Sequence, residues 1–161
     1  MTTIFEILGW QQGELEMLFR QVNDASGRGR LDLARSRFVE LSNKLLGVMH
    51  AEDTIVYPQF ARLADLQEEC IRASHEHARI ESAVNHIRLA GLSDDAWRGA
   101  VTRLQVLCAD HLETEEWILF PVATLRISTA DAARIGAEFL AYEPVAESVA
   151  APSITWEPVA A

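Results

Sequence analysis

Apolar residues recur at three- and four-residue intervals along most of the chain, and no stretch alternates apolar with polar at a period of two. That periodicity restricts the fold to packed helices, because each 3.6-residue repeat makes one stripe that must be buried against another. The reading is all-α. The first helix opens with a capping box, Thr3 with Glu6 three residues on, and its stripe carries Phe5, Leu8, Leu15, Phe19 and Val22 before residues 23–29 break it. A second helix runs from Asp32, read as its N-cap, through Phe38, Leu41, Leu45, Val48 and Val56 to Pro58, which should end it. Residues 59–64 read as a short kinked extension. Asp65 is the expected cap of a third helix, with Glu68 and Glu69 suiting its dipole and Gly91 marking its end. A fourth starts at Ser93-Asp94-Asp95 and should stop at Pro121.

Four helices of roughly 20 to 27 residues with short polar loops make an up-down-up-down antiparallel bundle over residues 1–122. Ser128 and Asp131 cap a short fifth helix within residues 123–142. Residues 143–161 change character. The run Tyr142-Glu143-Pro144-Val145-Ala146 returns as Trp156-Glu157-Pro158-Val159-Ala160, in an extended or flexible tail that could strap over the bundle or onto a protein partner.

Charge narrows the list of partners. With 24 Asp+Glu against 14 Lys+Arg, a formal charge of −10 and no basic cluster, the chain is a poor match for a phosphate backbone or an anionic membrane. It has no apolar run long enough to span a bilayer and no basic, apolar and cleavage segments of a signal peptide, so a cytoplasmic location is expected. Cys70 and Cys108 form no CxxC motif, and helical register puts them about 15 Å apart along the bundle axis, beyond disulfide reach. Both read as small core residues. No nucleophile-base-acid triad and no phosphate loop is present, so no catalytic residue is named.

Turning each helix by 100° per residue shows which polar residues interrupt the apolar stripes. The fourth helix has the stripe Trp97, Ala100, Leu104, Leu107, His111, Glu115, Ile118; the third has Leu66, Cys70, Ala73, His77, Ile80, Val84, Ile87. The second carries Glu52 in the same way. His75 and His86 lie about 160° and 180° from His77, and His50 about 160° from Glu52, so these three face outward. Burying a carboxylate and an imidazole costs several kcal/mol unless they are paired or hold a cation. Glu52, His77, His111 and Glu115 therefore make a candidate metal site, and oxygen and imidazole donors without thiolate suit iron or manganese. Tyr57 and Phe120, each before a proline, read as core plugs.

Glu52-Asp53-Thr54-Ile55-Val56-Tyr57-Pro58 and His111-Leu112-Glu113-Thr114-Glu115-Glu116 with Phe120-Pro121 resemble the repeated motif of the hemerythrin-like, HHE cation-binding family. Glu76-His77 resembles its third-helix ligand motif, and residues 8–19 its first-helix stretch. The resemblance, over residues 1–122, implies a non-haem iron centre in a four-helix bundle. Family members carry or sense oxygen, react with nitric oxide or peroxide, sense iron, or repair iron-sulfur centres. Two family histidines fall on Gln12 and Val48, both inward, so one of two iron positions has lost its terminal imidazoles.

Three arrangements follow. The site holds one iron; it holds two, with oxygens from Gln12, Glu16 and Glu81; or it is vacant, its polar groups bonded to one another. Each lets the chain bind or sense a small ligand (oxygen, nitric oxide or peroxide), or act without metal as an interaction module through its tail. Peroxide disproportionation or iron oxidation is the enzymatic alternative, weakened because both usually exploit two metals.

Overall fold

The computed structural model describes residues 1–143, and every regular element within them is helical. Helix α1 spans Ile4–Gly27 and α2 spans Leu31–Ala51; a wide π turn, Glu52–Val56, leads into the single turn α3, Tyr57–Phe60. After a 3-10 turn, Ala64–Leu66, come α4 (Gln67–Leu89) and α5 (Asp94–Thr114). A second π turn, Glu115–Leu119, carries α5 into α6 (Phe120–Arg126), and α7 (Thr129–Ala141) follows. The four long helices α1, α2, α4 and α5 form the up-down-up-down bundle expected from the periodicity. The tail beyond Glu143 lies outside the described residues.

Local chemistry explains the ends. Thr3 and Glu6 close the capping box at α1, with Thr3 N donating to Glu6 Oε2 at 2.7 Å. Ser93 caps α5 and Ser128 caps α7 through their hydroxyl oxygens. Two expected caps are elsewhere. Helix α2 starts one residue before Asp32, directly after Gly29 at φ 71° and Arg30, so Asp32 lies in the first turn and serves the dipole there. Asp65 lies in the 3-10 turn and pairs with Arg126 at 2.6 Å, leaving Leu66 as an N-cap without a side-chain bond.

Pro58 and Pro121 do not end their helices. Each sits in the first turn of a helix that continues beyond it, α3 or α6, and each is preceded by a π turn. A proline ring clashes with the carbonyl four residues back and offers no N–H; a wider turn moves that carbonyl aside and lets the helix run on. The extra residue also shifts the buried face. Beyond Glu115 the stripe passes to Leu119, fully buried, while Ile118 is 38% exposed.

Two apolar clusters fill the interior. One gathers Phe19, Phe38, Leu41, Ile80, Trp97 and Leu104; the other gathers Ile4, Leu8, Val56, Phe60, Leu119 and Ile135. Burying each such side chain contributes roughly 1.5–3 kcal/mol. Along α1, α4 and α5 the first cluster gives way to the second around residues 12, 77 and 111–115, and the buried polar residues sit at that junction. Helix α7 closes the second cluster by lying on the start of α1, where Gly136 meets Ile4 and Ile7 without a side chain between them.

Candidate metal centre

Four inward polar residues reach the junction from three helical segments. Glu52 opens the first π turn, His77 comes from α4, and His111 and Glu115 stand one turn apart at the end of α5; all four are buried. His77 Nε2 lies 2.9 Å from His111 Nε2 and 3.3 Å from Glu52 Oε2. Glu115 stands further back, its Oε1 3.8 Å from His111 Nε2.

The other side of each imidazole is held by a carboxylate. His77 Nδ1 is 3.0 Å from Asp53 Oδ2, and Ser74 donates to Asp53 Oδ1 at 2.6 Å. His111 Nδ1 is 2.8 Å from Glu76 Oε2. A carboxylate only accepts, so each Nδ1 carries its ring's proton and each Nε2 presents a lone pair inward. Two lone pairs at 2.9 Å beside the Glu52 carboxylate repel unless a cation stands among them. Two ligands at right angles on a metal with bonds of about 2.1 Å are about 3 Å apart, which the observed separations match. The donor set fits a metal ion. Glu52, His77 and His111 would hold it, each offering an atom within 4.8 Å of the others'.

Titration follows from the same packing. Burial works against the charged form of His77, but the bonds and charges of Asp53 and Glu52 outweigh it and raise the imidazole to about 9. His111 moves down, through burial and the neighbouring His77 charge. Burial and the Glu52 charge push the Glu115 carboxyl well up, against the lowering effect of the Tyr57 bond, His77 and Gln12.

Tyr57 is more than a core plug. Its hydroxyl donates to Glu115 Oε1 at 2.7 Å and lies 3.4 and 3.5 Å from the two Nε2 atoms. In an α-helix, residues five apart diverge by about 140°; the π turn, with Tyr57 N donating to Glu52 O, puts Tyr57 beneath Glu52. That turn is why helical phase alone missed it. Asp53 and Glu76 were also missed, although each adjoins a site residue in sequence. Phe120, its counterpart on the other π turn, does act as a plug against Phe5 at 6.2 Å.

Beside the site, between α1 and α5, is a cavity of about 390 Å³. Gln12 and Val48 line it together with Glu52, His111 and Glu115. Gln12 Nε2 is buried and makes no hydrogen bond of acceptable geometry, although its amide is close enough to favour the charged form of Glu115. Glu16 reaches only the exposed rim. Glu81 does not line the site, because the register of α4 turns it to the surface, 3.7 Å from His50. His75 and His86 are exposed as expected, and Cys70 and Cys108 are buried free thiols, raised by burial to about 11 and 12.

The family model for the hemerythrin HHE cation-binding domain matches residues 4–123. The chain belongs to this family. The matched range takes in α1 to α5, both π turns and the buried Glu and His residues, so the hemerythrin domain and the candidate site coincide. No curated protein and no solved structure matches the chain. Among the described residues no helix is long and apolar enough to cross a membrane.

Proposed function

We propose that this hemerythrin-domain protein binds one non-haem iron through His77, His111 and Glu52, and uses it to bind or sense a small ligand such as oxygen, nitric oxide or peroxide. The observation that carries the reading is the convergence of two Nε2 lone pairs and one carboxylate at 2.9 and 3.3 Å, each imidazole anchored from behind. Bound there, iron would supply a Lewis-acidic, redox-active centre with room for an added ligand. Asp53 and Glu76 fix the tautomer and orientation of the two rings. Glu115 and the Tyr57 hydroxyl, bonded to each other, face the same space and can exchange a proton with a bound group. With Gln12 and Val48 where imidazoles would serve a second position, one metal per chain is the expected stoichiometry.

Metal analysis of protein purified anaerobically after iron supplementation tests this, together with its absorption spectrum. One iron per chain is expected, lost with several kcal/mol of stability in the His77→Ala, His111→Ala double variant. Less than about 0.3 metal per chain, with stability unchanged in that variant, would overturn the reading.

A second reading has a proton in place of the metal. The raised His77 imidazole, at about 9, favours it: an imidazolium Nε2–H directed at His111 Nε2 also resolves the facing lone pairs. The bundle would then be an interaction module, its tail outside the described residues carrying the partner. An iron-free protein of full stability is the result that selects this reading.

A further inference from the structure

The cavity is much larger than a diatomic ligand or peroxide needs. At about 30 Å³ for each water in the liquid, its 390 Å³ corresponds to about a dozen waters, and pockets for organic ligands begin near about 300 Å³. Its walls are apolar: Leu15, Phe19, Leu45, Met49, Ile80 and Leu112 surround the space. Water gains few partners against such walls. The exception is one donor, Gln12 Nε2, buried and unpartnered. An unpartnered buried amide donor costs about 1–3 kcal/mol, which an acceptor entering the cavity would relieve.

The shape also provides an entrance. Glu16 and Arg20 on α1 and Gln105 and Ala109 on α5 line the cavity and are exposed, so it opens on the seam between those helices. Further along the seam, Asn23 donates to Gln105 at 3.0 Å and Arg98 to Ser26 at 3.2 Å, holding the two helices together past the opening. The floor carries the Glu52 and Glu115 carboxyls, which disfavour an anion. An ammonium group brings no acceptor for Gln12.

We propose that this cavity is a binding site for an uncharged, largely apolar organic molecule bearing one hydrogen-bond acceptor, such as an aromatic ketone or quinone, with the acceptor on Gln12 Nε2. Its closest approach is to His111 and Glu115, so the occupant lies against the residues of the candidate metal site. The site needs no metal to form.

The test uses the full chain after metal removal by a chelator, so that failure of the iron reading leaves it unaffected. The probes are 1-indanone and indane, which differ by the ketone oxygen. Binding of 1-indanone should shift the methyl NMR signals of Leu15, Leu45, Val48 and Ile80, with indane about five-fold weaker, the ratio one neutral hydrogen bond supplies. In Gln12→Leu the two probes should bind equally, and Val48→Phe, which fills the space, should abolish both. The wild-type comparison is decisive even if a variant fails to fold. No shift of these methyl signals at millimolar probe, or equal binding of the two probes by the wild-type chain, would overturn the proposal.

Discussion

Asp53 and Glu76 touch no lone pair that faces the centre, yet they decide which nitrogen of each imidazole is free. Removing such a partner usually lowers metal affinity 10- to 100-fold. Asp53→Asn and Glu76→Gln should each weaken iron binding about 10- to 100-fold in a chelator-competition titration, with far-ultraviolet circular dichroism unchanged. Affinity within a factor of two of wild type would show that the rings are oriented by packing alone. The inward Glu52, His77, His111 and Glu115 were legible because a polar residue inside an apolar stripe is conspicuous at 100° per residue. Their partners were not. Glu76 is exposed along much of its length, and only the approach of α5 gives it His111 to hold. Tyr57 becomes a site residue only through the π turn.

At the scale of elements, caps with serine or threonine were read correctly and prolines were not. A serine or threonine cap acts within one turn, so sequence is enough; a proline can end a helix or widen it, and packing beyond the proline chooses. Here Phe60 and Ala123, both fully buried, reward continuation. Gly136 is a similar contact that sequence conceals. A Cβ there would come within 2.9 Å of Ile7 Cδ1, 3.0 Å of Ile4 N and 3.2 Å of Thr3 C, two of them backbone atoms that cannot yield. Gly136→Ala should therefore destabilise by about 1–3 kcal/mol in urea unfolding, despite the better helix propensity of alanine. Gly13→Ala, where nothing lies within 4 Å, should gain about 0.5–1 kcal/mol. Equal effects at the two glycines would show that the α1–α7 contact does not matter.

Across the whole molecule, the bundle was legible because its four stripes repeat with one period, whereas the cavity was not, because empty space is a property of packing. Its location was foreshadowed by two absent imidazoles, at Gln12 and Val48. The junction between the two apolar clusters also makes stability depend on pH. His77 rises from 6.5 to about 9 on folding, so in metal-free protein its contribution is full below about 6.5 and is lost as pH rises through about 9. At about 1.36 kcal/mol for each unit, that loss is up to about 3 kcal/mol. The raised Glu115 carboxyl adds a cost in the same direction, since the unfolded chain gives up that proton more readily. The lowered His111 acts oppositely, its cost appearing as pH falls below 6.5. Urea unfolding of chelator-treated protein should thus weaken from pH 6.5 to 9, while iron-loaded protein, whose ligands must be unprotonated, should not. A flat metal-free profile over that range would contradict the protonated His77.

The carboxylates behind the imidazoles have one more consequence. Asp53 and Glu76 keep 33% and 23% of their side chains in solvent, and a crevice of about 40 Å³ beside Glu76, Arg79 and Asp110 touches His111 from the face away from the large cavity. The centre thus has two doors on opposite sides. Neutral molecules enter along the α1–α5 seam, and protons displaced from the imidazoles leave through the acids at the back. Traffic of matter and traffic of charge need not wait for each other.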